Sequence, residues 1–393
     1  MNILFFYRIY PNYGGVETVT TVLANRFASD GHNVTIASIE QPHMELQYKL
    51  RPEIEILKLD YPVNSSQNIK KLRHVLIEKK IDILINQWGL PFSTTLLCNA
   101  ARKNLPCRLV SVLHGSPNTS KIIISAQDKV ESSKNTCTRL LHKAELSLKH
   151  KIVKWSIRHN LKHCDAYVLL SKSFINPLIQ YANAKKTDTI TAIGNPITIP
   201  VDLQDFSLSN KKKQILYAGR MDFENKRVNR IIDAWEQIAN QYQDWKLILV
   251  GDGPHKETLV QTVKDRNIPR VDFHPFQKEP PISFYKDASI YMLTSDLEGF
   301  GLVILESMSF GVVPIVYGSY EAVYDIIEDG KSGFITPKPY SQKETVQRLE
   351  ELIQNEDKRM SMAANAMEQA KLFSLDSVVK QWYDLFEQVK KRP

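Results

Sequence analysis

The segment Thr294-Ser-Asp-Leu-Glu298-Gly-Phe-Gly301-Leu-Val-Ile-Leu-Glu306-Ser-Met-Ser-Phe-Gly311 carries two glutamates and three glycines. Ala288 to Leu293, just before it, is an apolar run of strand length. Gly301 to Phe310 has helical spacing, and Val312 to Val316 reads as the next strand. A glycine-bearing loop thus lies between the carboxyl end of a strand and the start of a helix, where open α/β sheets bind ligands. The helix start adds unpaired N–H groups and a partial positive charge that suit a phosphate. Glu306 has Leu302, Val303, Ser309 and Phe310 as its helical neighbours at three and four positions. A carboxylate on so apolar a face is costly unless something pairs with it. The alternative is a glutamate at a helix edge, reaching water or capping another element.

Outward from this segment the strand–helix alternation continues. Gln214–Ala218, Lys246–Val250 and Val271–His274 read as strands, with helical patterns at Val228–Gln241, Lys256–Lys264 and Ile282–Asp287. The first half repeats the pattern, with strands at Ile3–Tyr7, Val34–Ile39, Ile54–Leu59, Ile81–Asn86, Leu109–Leu113, Ala166–Leu170 and Thr189–Ile193. Helices fall at Val16–Ala28, Ile69–Lys79, Ser93–Lys103 and Leu140–His163. Such alternation predicts parallel sheets covered by helices. Gly194 to Lys213, rich in Pro, Asp, Ser and Lys, reads as a linker. After Phe334 the pattern is helical, at Lys343–Gln354, Lys358–Lys371 and Leu375–Lys390. The expected class is α/β, with two doubly wound, Rossmann-like domains at 1–195 and 196–372 facing a cleft. A last helix, 373–393, is expected to pack back on the first domain.

The 393 residues, 43% hydrophobic and 24% charged, fit a soluble globular chain of two or three domains. No apolar run reaches the length of a transmembrane helix. The apolar run Ile3–Tyr7 is too short for a signal peptide, so the expected location is the cytoplasm. Cys98, Cys107, Cys137 and Cys164 show neither C-x-x-C pairing nor metal-ligand spacing and read as reduced thiols. The net charge of +8 is uneven. Residues 1–196 hold 26 Lys and Arg against 14 Asp and Glu, a net +12; residues 197–393 hold 25 against 29, a net −4. The first half should therefore meet something anionic.

Four strand ends carry further candidates. Gly14-Gly15 follows the first strand and allows close backbone approach at a helix start, although it is no G-x-G-x-x-G dinucleotide fingerprint. His114 stands directly after the strand ending at Leu113, placed to donate to a sugar hydroxyl or polarise a reacting group. Gly219-Arg220 ends another strand, with Lys226 six residues on; an Arg fork and a mobile Lys suit a diphosphate. Arg227 and Arg230 read instead as solvent-facing helix charges. Gly251-Asp252-Gly253-Pro254 is a further glycine turn that turn chemistry alone could explain.

In these residues the chain resembles the retaining glycosyltransferases of GT-B architecture, in particular family four, or glycosyltransferase group 1. Glu298 and Glu306 with seven residues between carry the likeness. Gly14-Gly15, His114-Gly115, Gly219-Arg220 with Lys226, Gly251 to Pro254 and Ile326 to Phe334 match other family positions. The resemblance covers nearly the whole chain and is strongest over 214–335. It implies a nucleotide-sugar held by the second domain, with Arg220 and Lys226 on its diphosphate and Glu306 on the ribose hydroxyls. Glu298 would face the donor sugar, and the N–H groups of Phe300, Gly301 and Leu302 would meet sugar or phosphate oxygens. His114 would reach the sugar, Gly14 and Gly15 would close over the phosphates, and the base would sit near Pro275 and Phe276. Family members commonly have Gly at the position of Pro275. The implied reaction retains stereochemistry and needs no metal or other cofactor, and no D-x-D loop occurs at a suitable place. Gly311 to Ile327 is similar to members that use UDP-galactose or UDP-N-acetylgalactosamine, so UDP is the expected nucleotide, with GDP-mannose the runner-up.

Residues 139–163 hold seven Lys/Arg and four His against one Glu, with Leu141, Leu148 and Trp155 at near-helical spacing. Such a helix either packs its apolar side in the core or lies on an anionic membrane. The membrane reading fits a lipid-linked acceptor in surface polysaccharide or oligosaccharide synthesis. Nucleic acid is disfavoured, because aromatic interleaving and groove-reading motifs are missing. Two other classes stand beside the transferase: a nucleotide-sugar epimerase of the same architecture, and a nucleotide-sugar binder without catalysis. The set Arg220, Lys226, Glu298 and Glu306 speaks against the binder, which needs no leaving-group stabilisation.

Overall fold

A computed structural model describes residues 1–116, 120–133, 135–204 and 206–392. The chain divides into two compact units, one formed by Met1–Asn195 with Val378–Pro393, the other by Pro196–Ser377. The second unit runs past position 372 because Phe373 is tied into it. The Ile197 N–H donates to the Phe373 carbonyl at 2.9 Å, and the Phe373 ring packs edge-on against Phe300 at 5.8 Å.

In the first unit seven strands form one parallel sheet: β1 (Asn2–Ile9), β2 (Asn33–Glu40), β3 (Glu55–Lys58), β4 (Ile83–Asn86), β5 (Arg108–Leu113), β6 (Ala166–Leu169) and β7 (Ile190–Ala192). Their order is β3-β2-β1-β4-β5-β6-β7. β1 reads Ile-Leu-Phe-Phe over residues 3–6, all fully buried, as a parallel strand covered on both faces requires. The helix Gly15–Ser29 buries Val19, Leu23 and Phe27, and Phe386 and Tyr383 of the helix Leu375–Lys391 pack on Phe27. Tyr383 OH also donates to Asp30 at 2.7 Å.

The second unit holds six parallel strands: β8 (Lys212–Ala218), β9 (Lys246–Val250), β10 (Val271–His274), β11 (Ala288–Leu293), β12 (Val313–Tyr317) and β13 (Phe334–Thr336). Their order is β10-β9-β8-β11-β12-β13. In each sheet the chain winds outward from a central strand and then returns to its other side. The reversal falls between β1 and β4 in one sheet and between β8 and β11 in the other, and a crevice opens at the carboxyl ends of such a pair.

Several elements differ from the sequence expectation. The helix read as Leu140–His163 begins at Thr136, because the Asn135 side chain caps it, accepting from Thr138 N at 2.8 Å. Lys121–Glu131 and Ile175–Ala182 are helices and Phe334–Thr336 is a strand; these short segments have too few turns or alternations for a periodicity to stand out. Asp205, in the expected linker, and Pro117, after His114, lie outside the described residues.

Candidate active site

The crevice of the second sheet is built by the loops after β8 and β11. These loops are laced together before any ligand is considered. Asp222 Oδ1 accepts from the N–H groups of Asn225 (2.8 Å) and Lys226 (2.7 Å). Asn225 then reaches across: its carbonyl accepts from Asp296 N at 2.8 Å and its Oδ1 from Leu297 N at 2.9 Å. Asp296 in turn holds Arg227 at 2.5 Å and Arg230 at 2.6 Å. Arg230 also donates to the Thr294 carbonyl at 2.9 Å and lies over the rings of Tyr340 (4.3 Å) and Tyr317 (5.4 Å). The expectation that Arg227 and Arg230 are plain solvent charges therefore fails. Arg230 is enclosed by two aromatic faces, and both arginines hold the loop that carries Glu298.

On this frame Lys226 Nζ donates to Glu298 Oε1 at 2.5 Å, with both side chains largely shielded from water. Arg220 stands on the same loop as Lys226 but is 68% exposed, its nearest carboxylate being Asp222 at 3.5 Å. One cation is thus held in place by a carboxylate and the other projects outward.

The Glu298 loop turns into its helix at Gly301, whose φ of +97° belongs to the left-handed region. A Cβ there would stand 2.6 Å from Tyr320 OH and 2.9 Å from Ile304 Cδ1, so two constraints select glycine. Tyr320 OH is buried and has no hydrogen-bond partner among the described residues. The helix runs Leu302–Ser309, with Gly301 as its cap and Phe300 packed beneath. Its first N–H groups, including that of Leu302, lack intrahelical acceptors by geometry.

Glu306 faces inward. Thr198 Oγ1 donates to its Oε1 at 2.8 Å, and Tyr285 OH donates to its Oε2 at 3.2 Å. Burial raises the Glu306 pKa, and the two hydroxyls oppose that rise. The apolar helical face is therefore relieved by protein hydroxyls. A carboxylate has about four acceptor sites, so two remain for further O–H donors.

Gly251 lies on the same edge, but its missing Cβ serves packing. A Cβ would stand 2.0 Å from the Gly219 carbonyl, and the φ of +144° favours glycine as well. Met221 N donates to Asp252 O at 2.8 Å, so the loops after β8 and β9 are zipped directly. Pro254 precedes the helix Lys256–Asp265 and its cap His255 rather than occupying the first helical position. Pro275 and Phe276 follow β10, the edge strand, two strands from the crevice, and the Phe276 ring is half exposed.

At the first sheet's carboxyl edge, His114 follows β5 and its Nε2 hydrogen-bonds Gln87 Oε1. Gln87 itself follows β4, beside the reversal point. Burial lowers the His114 imidazole to about 3, so the ring is neutral, and its buried Nδ1 has no hydrogen-bond partner among the described residues. Gly14 caps the helix Gly15–Ser29, and the Glu17 carboxylate folds back against Gly14, with Asn12 Nδ2 donating to it at 3.2 Å. The Glu17 carboxylate thus lies at the helix start where the resemblance places a phosphate. Among the described residues, no group of three or more His, Cys, Asp or Glu is placed to hold a metal ion.

Residues 200–369 match the family model for glycosyl transferases group 1, and residues 13–199 match that for glycosyltransferase family 4. This chain is a family-four, group 1 glycosyltransferase. Its sequence is 26% identical to an uncharacterized glycosyltransferase of Haemophilus influenzae, over 96% of this chain and 98% of that relative. It is also 26% identical, over 96% of each chain, to a Campylobacter jejuni α-1,4-N-acetyl-D-galactosaminyltransferase whose name gives a GalNAc-containing glycan on diNAcBac-PP-undecaprenol. The crystal structure of Anabaena Alr3699/HepE with UDP and glucose shares the fold. Its TM-score is 0.74 at 18% identity, over 99% of this chain and all of that one. The GT-B fold follows from that likeness together with the two parallel sheets.

Of the residues singled out in the sequence of this glycosyltransferase, Arg220, Lys226, Glu298, Phe300, Gly301, Leu302 and Glu306 come together around β8 and β11. His114, Gly14 and Gly15 belong to the first unit. Sequence reasoning missed Asp222, Asn225, Asp296, Thr198, Tyr285 and Tyr320. Asp222 and Asp296 sit in the loops already singled out and offered a signal. Thr198, in the linker, offered none.

Proposed function

We propose that this glycosyltransferase moves a hexose or N-acetylhexosamine, with retention, from a UDP-sugar to a lipid-linked glycan in surface polysaccharide or oligosaccharide assembly. The pairing of Lys226 with Glu298 beside the exposed Arg220, at the reversal point of the second sheet, is the observation that carries the reading. When the bond from the sugar C1 to the diphosphate oxygen breaks, the diphosphate gains negative charge and the ring becomes cationic. Preorganised groups aimed at developing charge lower the barrier most. Arg220 and Lys226 take the diphosphate charge, and Glu298, once Lys226 turns to the phosphate, is left facing the cationic sugar. The acceptor oxygen bonds to C1 on the face the diphosphate leaves, and a diphosphate oxygen takes the acceptor's proton. In this scheme two side-chain cations do the work of a metal ion, so no metal is needed. Glu306 uses its remaining acceptor sites for the ribose hydroxyls.

The UDP bound to HepE supports uracil as the base. The Campylobacter relative supports an N-acetylhexosamine and an acceptor on a lipid diphosphate. No helix among the described residues is long and apolar enough to cross a membrane. The +12 charge of residues 1–196 supports a peripheral site on the anionic cytoplasmic membrane face. A thermal-shift panel of UDP, GDP and their sugars tests the donor, since a ligand bound only by the native state raises the melting temperature. A shift with GDP and none with UDP overturns the base. Isomerised donor without acceptor overturns transfer in favour of epimerisation. Turnover abolished by EDTA and restored by Mg²⁺ overturns the metal-free scheme.

A further inference from the structure

Three buried tyrosines surround the crevice of the second sheet, and the fold accounts for the hydroxyls of two. Tyr217 OH donates to the Arg220 carbonyl at 2.6 Å and Tyr291 OH to the Ala218 carbonyl at 2.9 Å, so both hold the loop after β8. Tyr320 is different. It follows β12, in a segment tied to the Glu298 loop by Ser319 Oγ, which donates to the Ser295 carbonyl at 2.6 Å. Its ring is buried, and its hydroxyl has no hydrogen-bond partner among the described residues. That hydroxyl lies against the turn into the helix Leu302–Ser309, 2.6 Å from where a Cβ on Gly301 would stand. A buried hydroxyl without a partner costs free energy, and phenylalanine would fill the same space without that cost.

The surrounding charge shows what the hydroxyl can serve. Burial raises the Tyr320 phenol well above its ordinary range, and the nearby Glu298 charge raises it further. Glu298 spends Oε1 on Lys226, while its Oε2 accepts no hydrogen bond among the described residues. The side chain is only 12% exposed, so water offers it little. In the transfer scheme a diphosphate draws Lys226 away, and a carboxylate left in so enclosed a place needs another donor. A second cation would cancel the charge that is to face the cationic sugar. A phenol O–H supplies the hydrogen bond and leaves that charge in place.

We propose that Tyr320 is a positioning residue that takes over Glu298 from Lys226. Its O–H donates to the Glu298 carboxylate once a nucleoside-diphosphate sugar is bound, and holds that carboxylate toward the sugar. The proposal rests on the reading of Glu298 as the group that faces the donor sugar. It is tested in the full chain with Tyr320→Phe, alone and combined with Glu298→Gln. UDP release from UDP-galactose or UDP-N-acetylgalactosamine, whichever raises the melting temperature more, gives kcat without an acceptor, and calorimetry gives UDP affinity. Tyr320→Phe is expected to lower kcat roughly ten- to hundredfold, the worth of a hydrogen bond to a charged group, with UDP affinity within about threefold of wild type. The melting temperature of the free protein should hold or rise, because the lost hydroxyl had no partner there. In the Glu298→Gln background the same substitution should cost less than about twofold, because the two residues act as one. A purely structural tyrosine would do the reverse, lowering the melting temperature and sparing kcat. An unchanged kcat, a lowered melting temperature of the free protein, or the full loss repeated in the Glu298→Gln background overturns the proposal. Wild-type turnover in Glu298→Gln overturns the reading of Glu298 and this proposal with it. A slow Glu298→Gln beside a normal Tyr320→Phe overturns the proposal alone.

Discussion

At the reversal point of the second sheet a lysine faces a glutamate; beside that of the first, a neutral imidazole faces a carboxamide. Both sheets are parallel and wind outward from a central strand, so topology provides each with a crevice. The chemistry lining the two crevices differs. The second is organised by charge, with Lys226 on Glu298 and Arg227 and Arg230 on Asp296. The first is marked at its reversal by a neutral hydrogen bond, His114 to Gln87, with Glu17 folded against Gly14 and Arg8 over the Trp88 ring nearby. The comparison teaches that strand order makes the place while loop composition decides its chemistry: paired charges line one crevice, and a neutral hydrogen bond marks the other.

The sharpest way to break this contrast is Lys226→Ala. It removes a leaving-group cation and strands Glu298, and turnover is expected to fall a hundred- to thousandfold, about 3 kcal/mol of barrier. Steady-state kinetics with the donor found by thermal shift checks it, and a loss under tenfold would end the charge-organised reading. Glu298→Gln should cost roughly a hundredfold in kcat while UDP affinity stays within about threefold, because the role proposed for it is in the transition state. Glu306→Gln should act the other way. Losing a charged acceptor costs about 2 kcal/mol, so UDP affinity read by calorimetry should drop roughly thirtyfold. Arg230→Lys keeps the charge but gives up the planar stack on Tyr340 and the guanidinium hydrogen bonds to Asp296 and the Thr294 carbonyl, and should lower stability by about 1–2 kcal/mol in urea unfolding.

The last prediction concerns the first unit. His114 stays neutral in the fold because burial lowers it to about 3 from an ordinary 6.5. Above about 6.5 neither state binds the proton; below it only the unfolded chain does. Stability is therefore full above 6.5 and falls as pH drops toward 3, by up to ~1.4 kcal/mol per unit. His114→Asn should flatten that part of the slope in unfolding series from pH 7 to 5. An unchanged slope would mean that the imidazole is solvated.

The contrast was only half legible in the sequence. Glu298, Glu306, Arg220 and Lys226 could be named because they stand in a strand–loop–helix pattern whose period and glycines are local. Arg230 could not be placed correctly: its helix position looks solvent-facing, and its partners Asp296 and Tyr340 lie 66 and 110 residues away in sequence. The hydroxyls on Glu306 were also out of reach, since Thr198 lies in a segment that reads as a linker. The exposed stripe at Leu141, Leu148 and Trp155 was visible as a periodicity, but the sequence left open whether it faced the core or the surroundings.

By itself, then, the sequence determined the α/β alternation, the two parallel sheets and the charged glycine loops at strand ends, because hydrophobic period, glycine placement and charge type act over a few residues; the glycosyltransferase reading came from the family resemblance of those loops. Only the tertiary structure decided which strand ends are neighbours, that Lys226 rests on Glu298 and Glu306 on two hydroxyls, and which side of the basic helix is bare. Those outcomes depend on strand order and on packing between segments far apart in the chain, and such long-range pairings leave no periodic trace in the residues that make them.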